Sequence, residues 1–259
     1  MKICIPSHKR SHLMTTWKHL PNALKDKTTI YVYPDELQDY AHFPSVTLPE
    51  GLRGIANKRQ YIVETCDTDK LIILDDDLVF ARRREDDPTK FRPCSAEDLE
   101  QMWTTCFLAL DHYAHGGIAT REGGNRDTSD YKFNTRAIRG HIFRTDVLRE
   151  AGVKLNETKF MSDFDTTLQL LEKGYSNVVI NEWVTNQAGS NTEGGCSETR
   201  SLLDLADAAY NLHDRHPKFV KVVKKKTKAA WGGGERTDVV IQWKKARASA
   251  PEDKNVKSG

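Results

Sequence analysis

The apolar positions of the first eighty residues change period repeatedly, and each change marks an element. Ile3-Cys4-Ile5, between Lys2 and Pro6, is a short strand-like run. Leu13, Met14, Trp17 and Leu20 then recur at helical spacing behind Ser11, a residue type that caps helix starts. Thr29-Ile30-Tyr31-Val32-Tyr33 is β-branched and aromatic and is stopped by Pro34. Behind Gly54, Ile55, Arg59, Ile62, Val63 and Cys66 share a helical face, and Leu71-Ile72-Ile73-Leu74 is the unbroken apolar run of a strand covered on both sides. Strand, helix, strand, helix, strand predicts an α/β protein built on a mostly parallel, doubly wound sheet flanked by helices.

The pattern continues past that point. Ser95-Ala96-Glu97-Asp98 reads as a capping box, opening a helix with Leu99, Met102, Trp103, Cys106, Phe107, Leu110 and Tyr113 inward. His112 and His115 at its end are expected on the surface or as helix caps. Gly116-Gly117 and Gly123-Gly124-Asn125 bracket a polar stretch to about Thr135, expected as a flexible, substrate-facing loop. Ile138 to Phe143 predicts a strand, and Asp146 to Ala151 a short helix closed by Gly152. A further helix, capped by Ser162 or Asp163 and closed by Gly174, is expected to bury Phe164, Leu168 and Leu171. Val178 to Ile180 predicts a strand, and Gly189 to Gly195 a loop able to fold over a substrate. Ser197 to His213 predicts a helix with Leu202, Leu203, Ala206, Ala209 and Tyr210 inward.

Charge divides the chain. Its formal net charge is +2, yet residues 218–259 hold twelve Lys or Arg against four Asp or Glu, leaving −6 on the first 217. The expected organisation is one domain over 1–217, a basic extension over 218–248 that ends in the strand-like run Val239 to Trp243, and a disordered tail over 249–259. A basic end favours an anionic partner or serves as a solubilising tail. No apolar run reaches membrane-spanning length and the first residues do not form a signal peptide, so a cytoplasmic protein is expected. The five cysteines are scattered without a C-x-x-C pair and read as buried free thiols.

The candidate chemistry lies at the strand ends. Asp75-Asp76-Asp77 follow the buried run directly, and three carboxylates there are costly without a cation or donors to compensate them. Oxygen-only ligands suit Mg²⁺ or Mn²⁺, which keep positions open for substrate phosphates. Ligands of a doubly wound sheet bind beyond the carboxyl ends of its strands, a rim that Pro6, Ser7, His8, Lys9 and Arg10 would share. Cations for phosphates beside carboxylates for a metal suit a nucleotide diphosphate. Arg82-Arg83-Arg84 reads as a solvated charge run or a phosphate-contacting loop. Asp163 and Asp165 stand at a helix start, where dipole and free N–H groups hold a carboxylate ionised, as a general base requires. His213 and His216 are structural or offer an imidazole to a metal.

Taken in order, Ile5 to Arg10, Gly54 to Arg59, Leu74 to Asp77, Gly140 to Arg144 with Gly152, and Ser162 to Asp165 with Gly174-Tyr175 resemble the GT-A nucleotide-sugar glycosyltransferases over about residues 1 to 185. The Gly-rich loop near Arg121 to Arg126 and the basic end are more narrowly similar to the phage TET-associated glycosyltransferases. The resemblance implies a GT-A fold and transfer of a hexosyl or N-acetylhexosaminyl group from a nucleotide-sugar, a UDP-sugar foremost, with Mn²⁺ or Mg²⁺. It implies hydroxymethylated pyrimidines of phage DNA as acceptor. Asp75 and Asp77 correspond to the D-x-D pair, Asp77 as metal ligand with His213 a further candidate, and Asp76 as the intervening acid most tolerant of change. Pro6, Ser7, His8, Arg10, Arg59, Asp75 and Asp76 are implied donor contacts. Asp163 corresponds to the base of inverting members, with Asp165 beside it; Ser162 stands where the family has Glu. Arg121, Arg126, Lys224, Lys225 and Lys226 are expected to meet the acceptor, with Trp231, Trp243 or Tyr131 stacking on a flipped base. A glycan, lipid or protein acceptor, a sugar-phosphate nucleotidyltransferase and a non-enzymatic nucleic-acid-binding module are the alternatives.

Overall fold

The computed structural model describes residues 1–187, 201–226 and 234–255. Ten strands form one sheet: β1 (Lys2–Pro6), β2 (Thr28–Val32), β3 (Ser45–Thr47), β4 (Lys70–Leu74), β5 (Leu78–Arg83), β6 (Phe91–Pro93), β7 (His115–Thr120), β8 (Tyr131–Phe133), β9 (Gly140–Arg144) and β10 (Asn177–Gln187). Their order is β3-β2-β1-β4-β9-β7-β10-β5-β6, with β8 paired to the first part of β10. The helices are α1 (Thr15–His19), α2 (Asn22–Lys25), α3 (Ile55–Thr65), α4 (Ala96–Ala109), α5 (Thr145–Glu150), α6 (Ser162–Glu172), α7 (Leu202–Arg215) and α8 (Trp243–Ala248). The fold is α/β, as the period changes predict.

β3, β2, β1 and β4 are parallel, and β10 is parallel to β7. β9 is inserted antiparallel between β4 and β7, while β5 reverses against β10 and β6 against β5. The sheet is therefore mostly parallel in strand direction but mixed in its second half. Alternation along the central strands fills two layers. Ile3, Ile5, Ile72 and Leu74 pack with Met102 and Trp103 of α4. Cys4, Leu71 and Ile73 pack with Ile62 and Val63 of α3, Leu148 of α5 and Leu170 of α6. Covering on both faces is why Leu71–Leu74 reads as an unbroken apolar run.

After Lys218 the chain forms a separate antiparallel ribbon, β11 (Val220–Lys226) and β12 (Glu235–Ile241). Phe219, Val220 and Val239 from this region, with Ala209 and Leu212 of α7 and Ala246 of α8, cover Leu168 and Leu171 of α6. The basic extension is thus packed against α6.

Several elements depart from the pattern-based reading. The turn around Ser11 precedes α1, and the backbone ahead of that helix is Met14 in a positive-φ conformation. His115 is buried inside β7. Gly116 and Gly117 also belong to β7; a Cβ on them would fall 2.1 Å from Val178 O and 2.6 Å from Gly140 O, so close strand approach explains both glycines. α6 is preceded by Met161 in the left-handed region, with no side-chain cap from Ser162 or Asp163. α7 begins at a Ser201–Asp204 capping box; Leu203 and Tyr210, expected inward, are 71% and 53% exposed, and Ala208, Ala209 and Leu212 face the core. Residues 249–255, expected in a disordered tail, lie against the end of α6: Lys254 N–H donates to Gly174 O at 3.0 Å and Ser176 N–H to Asn255 Oδ1 at 2.8 Å. Gly189–Gly195 and Trp231 lie outside the described residues. No helix among the described residues is long and apolar enough to cross a membrane.

Candidate active site

β1 and β4 are parallel neighbours, so the loop after Pro6 and the carboxylates after Leu74 leave the sheet on one edge. Thr16 shapes the acidic turn. Its hydroxyl donates to Asp75 O at 2.6 Å and accepts Leu78 N–H at 2.8 Å, while its own N–H donates to Asp76 O at 3.0 Å. These bonds end β4 and turn the chain into β5, which is why the acids are a tight reversal rather than an open loop.

The three carboxylates meet two guanidiniums. Arg10 Nη1 donates to Asp76 Oδ1 at 3.1 Å and Asp77 Oδ2 at 2.9 Å, and Arg59 Nη2 donates to Asp75 Oδ1 at 2.6 Å. Asp76 also accepts the Ser7 hydroxyl at 2.5 Å and is only 6% exposed. Far from being the tolerant member of the run, it is the acid that fixes the first loop to the turn. One negative charge of the cluster stays uncompensated by these pairs. Burial, then Asp75 and Asp76, push the Asp77 carboxyl up to about 6 against the opposing pull of Arg10. Burial also raises Asp75, with Arg59 opposing. Asp77 Oδ1 is buried and makes no hydrogen bond. That orphaned oxygen fits a divalent cation that takes one or two carboxylates and completes its shell with substrate phosphates. Among the described residues no group of three or more His, Cys, Asp or Glu forms a metal cage, so the donor set fits such a shared shell and not an all-protein one.

Beyond the first loop, Lys58 donates to Ser7 O from a buried position and lies 3.8 Å from the Tyr33 ring centre, with Arg53 on the same ring at 4.3 Å. Glu36 Oε1 accepts Lys9 N–H at 2.7 Å and contacts His8 Nδ1 at 2.8 Å. β9 begins at the same rim, because its antiparallel register sets Gly140 opposite Leu74. The segment leading into it carries two arginines that the motifs did not single out. Arg139 grips Glu122 through both terminal nitrogens at 3.0 and 3.1 Å, and its charge favours ionised Asp75. Arg136 Nε donates to Asp163 Oδ2 at 2.5 Å, and its guanidinium carbon lies 3.7 Å from the Phe164 ring centre. Arg139 thus acts on the rim acids, while Arg136, three residues earlier, carries the ion pair with Asp163.

A family profile described as TET-associated glycosyltransferase matches residues 1–195. The chain belongs to this family. Among solved structures, its fold is similar to S. aureus TarS bound to UDP-GlcNAc, with a TM-score of 0.52 at 11% identity over 83% of this chain and 67% of that one. TarS with UDP gives 0.50 at 13% identity, over 83% and 65%, and a mycobacterial protein gives 0.50 at 9%, over 91% and 82%. The chain spans about two thirds of the TarS chain. No curated protein matches it. The fold is that of the GT-A glycosyltransferases.

In this TET-associated glycosyltransferase the remaining predicted residues separate by location. Asp165, expected beside the base, has both oxygens engaged. Oδ1 accepts Arg215 Nε at 2.7 Å and contacts His216 Nε2 at 2.9 Å, and Oδ2 accepts Gln169 Nε2 at 2.5 Å. These bonds hold the Asp165 carboxyl below the ordinary carboxylate range although burial opposes them. Its work is to tie α6 to the end of α7. His213 contacts Val220 O through Nδ1 at 2.7 Å and packs by β11, in no metal cluster with Asp77 among the described residues. Trp243 stacks on Phe164 at 5.9 Å, which leaves it inside the α6–α8 packing and unsuited to a flipped base. Tyr131 is exposed on β8, and Arg121 and Arg126 are exposed on the loop between β7 and β8. Lys224 donates to Thr237 at 2.7 Å and Lys225 pairs with Asp238 at 3.1 Å, so two of the three expected acceptor lysines are held along the ribbon. Arg139 and Arg136 had a weak sequence signal in retrospect: two basic residues three apart, immediately before a strand that begins at the rim.

Proposed function

We propose that this glycosyltransferase moves the sugar of a UDP-sugar onto the hydroxymethyl oxygen of a modified pyrimidine in phage DNA, with inversion at the anomeric carbon. The observation that carries the donor half is the Asp77 oxygen, buried and unpartnered beside Arg10 and next to two further acids. Asp77, with Asp75 beside it, would hold Mn²⁺ or Mg²⁺, which supplies positive charge to the departing diphosphate. Arg10 is the nearest protein cation to that position and orients the diphosphate. Asp163, at the start of α6, accepts the proton of the acceptor hydroxyl as its oxygen bonds to the anomeric carbon. The bond from that carbon to the diphosphate breaks and the nucleoside diphosphate leaves with the electron pair. The basic β11–β12 ribbon and the exposed Arg121 and Arg126 support an anionic polymer as acceptor.

Incubation of hydroxymethylated duplex DNA with a panel of UDP-sugars, with and without chelator, followed by mass spectrometry of the nucleosides, tests this reading. A hexose or N-acetylhexosamine mass on the pyrimidine, lost with chelator, is expected. Absence of any mass gain with a donor that the protein demonstrably hydrolyses would sink the DNA assignment.

A further inference from the structure

Arg82-Arg83-Arg84 reads in sequence as a solvated charge run or a phosphate-contacting loop, yet Arg83 is 9% exposed at the far end of β5, the strand that starts immediately after Asp77. Its guanidinium is held by backbone carbonyls from three separate segments. Nε donates to Asn181 O of β10 at 2.7 Å, and Nη1 to Pro88 O in the turn before β6 at 2.6 Å. Nη2 donates to Gly124 O at 2.9 Å and Asp127 O at 2.7 Å, both in the loop between β7 and β8. The Phe91 ring centre lies 4.9 Å from the guanidinium carbon. Among the described residues Arg83 makes no direct ion pair: its hydrogen bonds all go to carbonyls, with the charges of Asp127 and Asp130 favouring its cation from further off. A planar fork of five donors serves all four carbonyls at once; an ammonium has only three.

A neighbour continues the same brace. Buried Asn181 takes two more loop carbonyls, its N–H donating to Asp130 O at 2.8 Å and its Nδ2 to Ser129 O at 3.0 Å. Gly124 packs against Phe91 and Val184 so closely that a Cβ would lie 3.3 and 3.4 Å from them. The other end of the loop is fastened to the rim, where Arg121 N–H donates to Thr185 O at 2.9 Å and Glu122 holds Arg139. The loop therefore turns its carbonyls inward and leaves Arg121 and Arg126 exposed. An open, flexible segment, as its glycines suggest, would not present them at fixed positions.

We propose that Arg83 is a positioning residue for the acceptor: it fixes the 121–130 loop so that Arg121 and Arg126 meet the acceptor at a set distance from the rim. This rests on the acceptor-facing reading of that loop. Arg83 itself touches neither donor nor acceptor.

The test compares Arg83→Met and Arg83→Lys with Arg121→Ala/Arg126→Ala, using UDP-sugar and hydroxymethylated duplex DNA. Arg83→Met is expected to raise the acceptor KM by about tenfold to a hundredfold, the scale of a displaced positioning contact. The donor KM and the slow acceptor-free hydrolysis of UDP-sugar should keep their wild-type values. In the Arg121→Ala/Arg126→Ala background, removing Arg83 should add less than about twofold, because residues acting through one another are not additive. If Arg83→Met does not fold, Arg83→Lys carries the same comparison. A full additional loss in that background, or a fall in donor hydrolysis parallel to transfer, would show that Arg83 only supports the fold and would overturn the inference alone. A wild-type acceptor KM in Arg121→Ala/Arg126→Ala would overturn the acceptor reading of the loop as well.

Discussion

Arg136 Nε lies 2.5 Å from Asp163 Oδ2, so the carboxylate assigned to proton transfer is ion-paired before any acceptor arrives. The pair sits on the first turn of α6. Replacing Asp163 by Asn removes the proton acceptor with little change in shape. Transfer by Asp163→Asn should fall by about 10²-fold or more, with the donor KM unchanged. Near-wild-type kcat in steady-state assays would refute the role of Asp163.

Asp77 gives a pH-dependent stability prediction. Its carboxyl is raised in the folded chain to about 6 from an ordinary value near 4, so the folded state binds the extra proton more readily. Ionised Asp77 therefore opposes folding above about pH 6, and this cost disappears as pH falls through that value toward 4. In chelator, Asp77→Asn should be more stable than wild type at pH 8, by on the order of 2 kcal/mol, with the gain vanishing near pH 4. Thermal melts across that range check it. The same variant should lose metal-stimulated UDP binding, measurable by calorimetry.

His216 stands between two carboxylates, with Nε2 on Asp165 at 2.9 Å and Nδ1 on Glu172 at 2.5 Å. Both ring nitrogens must donate, which requires the imidazolium. Those bonds raise the His216 pKa although burial opposes them, and Asp165 is lowered by the same contacts. The His216 contribution is complete below about pH 6.5 and is lost as pH rises through its raised folded value; that of Asp165 is present above about pH 4 and lost below. His216→Gln should thus cost most between those limits and little at high pH. Asp165→Asn should lower stability by about 3 kcal/mol at neutral pH while the folded fraction retains its kcat. A kcat loss matching that of Asp163→Asn would instead return Asp165 to the chemistry.

The basic ribbon predicts a salt signature. Lys221 and Lys226 are exposed on β11. If each meets a phosphate, Lys221→Ala/Lys226→Ala should reduce the slope of log K against log salt for duplex DNA by about 1.8, near 0.9 per contact. An unchanged slope in fluorescence-anisotropy titrations would remove these lysines from the interface.

The sequence made β1, β2, α3, β4 and α4 legible because each is a single period between clear punctuation. It placed Pro6–Arg10 and Asp75–Asp77 on one rim because parallel strands end together. What it could not reveal depended on partners remote in the chain. Arg83 resembles its neighbours Arg82 and Arg84 until the carbonyls of Pro88, Gly124, Asp127 and Asn181 are folded around it. Asp163 and Asp165 are alike as a spacing, yet two residues along a helix rotate one toward Arg136 and the other toward Arg215 and His216. On α7, Leu203 and Tyr210 carry apolar character without burial, because the face that packs with the ribbon is set by Ala209 and Leu212.

α6 is buried on two sides: Leu170 packs into the sheet layer with Leu71 and Ile73, and Leu168 and Leu171 are covered by Leu212, Phe219, Val239 and Ala246. The residues that do this covering all lie beyond 195, where the family match ends. A chain cut at that point would keep the sheet and the acidic turn but leave Leu168 and Leu171 facing water, so the end of the chain completes the packing of the helix that carries Asp163.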